Sequence, residues 1–165
     1  LRRGAAACSA IVVAGTGCVI AMPLTPVPGA CDEAGQPANS VLLEMFENLN
    51  AYRTANGLST LQDSTRLETA AGAHAQDMFE RSFFAHVNPD GNGPLERAVA
   101  AGTCLTSIGE NIALIPFGTP DAAQQAWVDS PAHDENMRRT TWTHVGMGHY
   151  DAGNGNQYWV QVFGS

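Results

Sequence analysis

Apolar residues recur every three or four positions once the chain passes Ser40. Leu42, Met45, Leu49 and Tyr52 form one stripe, which predicts an amphipathic helix capped by Ser40 and ending near Asn56-Gly57. Gly57-Leu58-Ser59-Thr60-Leu61 reads as a turn that returns apolar groups to the core. A second helix begins at the capping box Thr65-Arg66-Leu67-Glu68 and carries Leu67, Ala71, His74 and Met78 on one face. The turn-rich residues from Phe83 to Pro94 lead into a short helix over 95–101, stopped by Gly102. The period then changes. Residues 107–115 read as a strand interrupted by the polar pair Glu110-Asn111, 121–128 as a helix, and Ser130-Pro131 as the cap and first residue of another. Two strand-like runs close the chain, 142–150 and 158–163, joined by a hairpin turn over 151–156. Both runs are apolar on both faces, which places their sheet between helix layers. The expected fold class is α/β: a three-layer α/β/α sandwich with a small, mostly antiparallel central sheet, filling residues 40–165.

The first thirty residues follow another pattern. Arg2 and Arg3 precede an uncharged apolar run from Ala5 to Met22, followed by the Pro-rich Pro23-Leu24-Thr25-Pro26-Val27-Pro28-Gly29-Ala30. A basic start, an apolar centre and small residues after it predict a secretory signal peptide over 1–30, with cleavage after Ala21 or near Gly29 and Ala30. An uncleaved anchor is the alternative, because the run only approaches spanning length. Residues 31–39 read as a polar linker. Export in turn changes how the cysteines read: Cys8 and Cys18 would leave with the signal, and Cys31 and Cys104 would remain in an oxidising compartment. A Cys31–Cys104 disulfide would tie the linker to the domain. Two unpaired thiols, or lipid attachment at Cys31, are the other readings.

Charge narrows the partners. The 165 residues carry a formal net charge of −8, and all eight basic residues are arginine. An acidic chain without lysine is no nucleic-acid binder and does not dock on anionic lipid, so membrane contact is expected only through the signal segment. A hydrophobic content of 44% is enough for a real core, and the domain is expected to be a monomer.

Five histidines and one misplaced carboxylate are the candidate chemistry. His74 falls on an apolar helix face and reads as a core histidine. His144 and His149 point to opposite faces of one strand and cannot share a cleft. His86 and His133 sit at a loop and a helix start, where functional groups are displayed. Glu110, flanked by Ile108-Gly109 and Asn111-Ile112, must be paired or liganded if it is buried. Spacing alone supplies no H-E-x-x-H, G-x-S-x-G or phosphate-loop motif.

Several short segments in order resemble the CAP superfamily, the cysteine-rich secretory, antigen five and pathogenesis-related one proteins with their bacterial SCP-like relatives. They are Asn50-Ala51-Tyr52-Arg53, Ala73-His74-Ala75-Gln76-Asp77-Met78, Phe84-Ala85-His86, Gly109-Glu110-Asn111-Ile112, Trp127-Val128-Asp129-Ser130-Pro131-Ala132-His133, Thr143-His144-Val145-Gly146-Met147-Gly148 and Tyr158-Trp159-Val160-Gln161-Val162-Phe163-Gly164. The resemblance spans about 40–164. It implies the α/β/α fold and a central cleft lined by two histidines and two acids. Here the histidines map to His86 and His133 and the first acid to Glu110, with His144 as a further cleft residue. The second acid falls where the eukaryotic W-Y-D-E pattern has glutamate and this chain has Ser130; Asp129 is one residue out of register.

Two imidazoles and a carboxylate suit zinc or another divalent cation, with His86 and His133 as ligands and water completing the shell. The same residues, His86, Glu110 and His133, suit metal-free acid–base catalysis or an inert buried network. No cofactor is required. The expectation is a secreted binding protein, more a binder than an enzyme, taking a divalent metal or a lipid- or sterol-like amphipathic ligand. The alternatives are a metal-assisted hydrolase of the cell envelope and a module contacting a cell-surface protein through loop 87–93. Envelope attachment is compatible with each.

Overall fold

The computed structural model describes residues 33–165. The expected signal segment, its cleavage points and Cys31 lie outside the described residues. The elements in chain order are α1 (Ser40–Ala55), β1 (Gln62–Asp63), α2 (Thr65–Glu80), α3 (Pro94–Ala100), β2 (Ile108–Pro116), α4 (Pro120–Val128), α5 (Pro131–Arg138), β3 (His144–Asp151) and β4 (Asn156–Gly164). The strands form one sheet in the order β1-β3-β4-β2. Strands β3 and β4 pair antiparallel as a hairpin, β2 pairs antiparallel with β4, and the two-residue β1 runs parallel to β3. The expected mostly antiparallel sandwich is the observed one; the short β1, inside a stretch whose polar residues suggested only a turn and a cap, is an addition.

Two cores lie on the two faces of the sheet. On one, Leu67, Ala71, Ala75 and Met78 of α2 pack against Ile112, Val160 and Val162. On the other, Leu42, Met45 and Leu49 of α1 join Trp127 and Met137 against Val145, Met147, Trp159 and Phe163. Strand β3 presents glycine toward α2. A β-carbon on Gly146 would fall 2.0 Å from the Glu68 backbone nitrogen, and one on Gly148 would fall 2.3 Å from the Ala71 carbonyl carbon. Only glycine admits so close a backbone approach.

Two helix starts differ from expectation by one residue. The cap of α1 is Asn39, whose side chain accepts from the Val41 and Leu42 N–H groups, rather than Ser40. The cap of α2 is Ser64, which accepts from the Leu67 N–H, rather than Thr65. The inner stripe of α1 ends on Arg53 instead of Tyr52, since four residues beyond Leu49 face the core as well as three do. Arg53 is buried because its guanidinium donates to the Ser59, Met137 and Arg139 carbonyls. Tyr52, half-buried, hydrogen-bonds Asp134.

Residues 33–38, read as a linker, pack along the domain. Ala34 bridges to Ser64, and the Gly35 N–H donates to the Asp63 carbonyl at 3.0 Å. Glu33 is buried and accepts from Ser64 Oγ at 2.7 Å, Thr103 Oγ1 at 2.9 Å, the Cys104 N–H at 2.9 Å and Arg66 Nη1 at 3.3 Å. Among the described residues no helix is long and apolar enough to cross a membrane.

Candidate functional site

Strand β2 forms one edge of the sheet, and its polar pair divides across that edge, because successive side chains on a strand point to opposite faces. Glu110 turns toward the side of α2 and α3, and Asn111 toward α5. Each recruits a different histidine.

Glu110 is the better held. Its side chain is 1% exposed. Arg97 on α3 donates through Nη2 to Oε2 at 2.6 Å. His86 Nδ1 lies 2.8 Å from Oε1; a carboxylate only accepts, so Nδ1 carries a proton, and in the neutral ring the lone pair is on Nε2. The His86 ring is 49% exposed. Arg97 also donates through Nη1 to the His86 carbonyl at 2.8 Å and the Asn92 carbonyl at 2.9 Å, so one guanidinium fixes the carboxylate and the loop that bears the imidazole.

Asn111 works on the other side. Its Nδ2 donates to the His133 carbonyl at 3.2 Å and to Gln161 Oε1 at 3.1 Å, while its Oδ1 accepts from Asn136 Nδ2 at 3.0 Å. Trp142 Nε1 closes the network on the Asn136 carbonyl at 3.0 Å. The start of α5 is thereby tied to β2. The half-buried His133 ring has its pKa pushed down by burial and then by the nearby His86 charge, so it favours the neutral form.

Of the expected cleft residues, His86 and Glu110 are in direct contact and His133 is close enough to feel the charge of His86. His144 is not brought to them. It lies on β3, separated from β2 by β4, opposite Gly164 and Gln62, with Nδ1 2.8 Å from Thr143 Oγ1. His149, on the opposite face, stacks on Trp159 with centroids 4.1 Å apart. Asp129 does not replace the missing acid, since it is exposed and accepts from Gln125 Nε2 at 2.8 Å. Ser130 caps α5 by position alone, without a side-chain hydrogen bond.

Two contributors escaped the sequence reading. Arg97 is one; the demand that a buried Glu110 be paired was the available signal, and few arginines could have met it. His74 is the other. It is buried as expected, but its Nε2 lies 3.0 Å from the Ala85 carbonyl and 3.8 Å from Glu110 Oε1, so it backs the site rather than merely filling the core. Burial lowers its pKa, with Glu110 opposing.

Among the described residues no group of three or more His, Cys, Asp or Glu is arranged to hold a metal ion. Both Glu110 oxygens are engaged by Arg97 and His86, so the carboxylate orients a histidine from behind instead of offering itself as a ligand. The residues therefore do not fit a three-ligand zinc centre. They fit at most a cation held by two imidazoles.

The model of the cysteine-rich secretory protein (CAP) family matches residues 46–163. The Bacillus subtilis protein YkwD is 32% identical over 120 residues, covering 73% of this chain and 45% of YkwD. Among solved structures, an extracellular SCP-domain protein of Bacillus anthracis superposes with a TM-score of 0.69 at 26% identity, covering 74% of this chain and 39% of that one. An outer surface protein of Borrelia burgdorferi shares the fold with a TM-score of 0.69 at 20% identity, over 77% of this chain and 96% of its own. The chain spans under half the length of YkwD and of the B. anthracis protein. Matching segments, sandwich and edge-strand site agree: the chain belongs to the CAP family.

Proposed function

We propose that this CAP-domain protein works outside the cytoplasm as a binding protein, with the His86–Glu110–His133 cleft holding a divalent cation or the polar head of a small amphipathic ligand. The observation that carries this reading is the clamped Glu110. A carboxylate only 1% exposed, with one oxygen held by an arginine at 2.6 Å and the other by an imidazole at 2.8 Å, is poorly placed to activate water, which argues against a general base. What it does instead is fix the His86 tautomer so that Nε2 faces outward, while His133 favours the neutral form. Two imidazoles, each a ligand through the lone pair of its neutral form, suit a borderline cation such as zinc or a hydroxyl-bearing head group. A recess of about 420 Å³, lined by Phe79, Phe83, Phe84 and Tyr158 together with Ser82, Asn154 and Asn156, mixes apolar and polar walls and includes Phe84, two residues before His86, which supports the amphipathic class. The location reading rests on the signal pattern of residues 1–30 and on relatives described as extracellular or outer-surface. A Cys31–Cys104 disulfide belongs to the same proposal, because Glu33, two residues after Cys31, bonds the Cys104 N–H. Two free thiols in the intact mass of the secreted protein would remove it.

The test is a calorimetric zinc titration of the chain beside its His86→Ala and Ser130→Glu variants. One-to-one binding, lost on His86→Ala and at least tenfold tighter with Ser130→Glu, is the expected result. No binding by any of the three removes the cation and leaves lipid extraction to decide for the amphipathic ligand. Turnover of an envelope polymer that disappears in folded His86→Ala and His133→Ala would establish the hydrolase instead. A surface partner captured equally by His86→Ala would favour contact through loop 87–93.

A further inference from the structure

On the α2 face of the sheet, toward the turn between β3 and β4, rings and uncharged polar groups line one recess of about 420 Å³, within the size range of small-ligand sites. Among the described residues no charged side chain lines it. Its rings are not equivalent. Phe79 packs on Tyr150 and edge-on to Tyr158, with centroids 5.4 and 6.2 Å away, which holds the buried Tyr158 ring in place. Phe83 contacts the His74 ring at 5.8 Å and the Arg81 guanidinium at 5.7 Å, and that guanidinium is taken by Asp77 and Asp90. Phe84 packs on no other ring or cation among the described residues and is 47% exposed, so its face is open.

The polar groups are open as well. The Asn156 amide and the Tyr158 hydroxyl have no hydrogen-bond partner among the described residues, and neither is sealed from solvent. Asn154 accepts through Oδ1 from the Asn156 N–H at 3.0 Å, which leaves its Nδ2 free. Ser82 is exposed and closes α2 with φ 55°, in the left-handed region where glycine is unstrained. A serine there costs backbone strain and keeps a hydroxyl at the recess. Phe117 takes the same strained backbone, φ 52°; its ring lies on Gly155 and its N–H donates to the Gly155 carbonyl at 2.7 Å, which braces the turn carrying Asn154.

We propose that this recess binds a neutral N-acetylated sugar. The Phe84 face stacks on the C–H face of the sugar ring, and the asparagine amides pair with the acetamido group. An alkyl chain would dehydrate the Ser82, Asn156 and Tyr158 groups without giving them partners, and an ion would find no opposite charge. The net charge of −8 turns away anionic polymers. A hydroxylated ring with C–H faces uses both kinds of wall. The proposal rests on the reading of this recess as part of the binding surface and names the class of ligand it takes.

The test is titration of the full chain with triacetylchitotriose, cellotriose and decanol, followed by amide chemical shifts with and without zinc. Triacetylchitotriose is expected to bind one-to-one with shifts at residues 82–84 and 154–158, and cellotriose at least fivefold more weakly. Phe84→Ala should weaken the acetylated sugar at least tenfold and Asn156→Ala several-fold. Ser82→Gly should raise the melting temperature yet weaken binding. Leu43→Ala removes an apolar side chain of similar exposure on α1, across the sheet, and should leave binding unchanged. No sugar binding, equal binding of the two sugars, unchanged affinity in Phe84→Ala, or decanol alone shifting these residues each overturns the proposal. Sugar binding without zinc binding keeps it while the cation reading falls, and zinc binding without sugar binding does the reverse.

Discussion

Glu110 on β2 and Asp63 on β1 occupy opposite edges of one four-stranded sheet, and both are nearly out of reach of water. At the first edge a guanidinium and an imidazole converge on the carboxylate, and the loop carrying the imidazole is tied down by the same guanidinium. At the second the donors go to Glu33, and the buried carboxyl of Asp63 has no hydrogen-bond partner. One acid is held so that a different residue can act. The other is left unpaired. Burial alone thus says little about what a carboxylate does; the donor count around it decides.

The largest expected break in this contrast is Arg97→Met. It would strand Glu110 with one engaged oxygen in a buried site, and removing one partner of a buried pair costs about 3–5 kcal/mol. Urea unfolding would show it, and the double variant Arg97→Met/Glu110→Gln should recover much of the loss. An effect below about 1 kcal/mol, the level of exposed pairs, would mean the clamp is dispensable.

Asp63→Asn tests the other edge, with pH as the variable. Burial raises the folded-state pKa of Asp63 from 3.8 to about 6, with Glu68 as the facing acid. An acid raised on folding costs nothing below its unfolded pKa, and its penalty grows as pH rises to the folded value. The wild type should therefore lose stability relative to Asp63→Asn between about pH 4 and 6, by no more than about 3 kcal/mol. A difference independent of pH would show that Asp63 does not titrate as its surroundings require.

Glu33→Gln should behave with the opposite sign and a smaller amplitude. Burial works to raise the Glu33 pKa, but the Cys104 N–H, Ser64, Thr103 and Arg66 outweigh it and hold the carboxyl low. That stabilisation is present above the unfolded pKa of 4.5 and lost as pH falls through the folded value, an effect of about 1–3 kcal/mol. Ser130→Glu should change stability least, within about 0.5 kcal/mol, because Ser130 makes no cap bond to lose. Its effect belongs to the zinc titration.

How much of this was legible depends on how local the cause is. Stripes, caps and turn residues act within four or five positions, so every helix and the three long strands could be read. Errors were confined to shifts such as Asn39 for Ser40 and Ser64 for Thr65, where adjacent residues compete to cap. The cleft was legible in part. His86, Glu110 and His133 carry family segments, and the polar pair Glu110-Asn111 stood out in an apolar strand. The Arg97 clamp joins residues thirteen apart through tertiary packing, and no periodicity marks it. His144 seemed a cleft residue because its segment matched; strand order, which is not local, put β4 between it and β2. Asp63 gave no signal, because a polar residue before a helix looks like an ordinary solvated turn.

Helix α2 rests on β3 with no side chain between them at Gly146 and Gly148. In mechanical terms helix and strand form one stiff plate, whose spacing is fixed by backbone contact rather than by deformable rotamers. That plate carries His74 and backs Glu110, so the rear wall of the cleft cannot yield to an incoming ligand. Adjustment to ligands of different size must fall on the exposed loop bearing His86, and the range of that loop is limited by the reach of a single arginine.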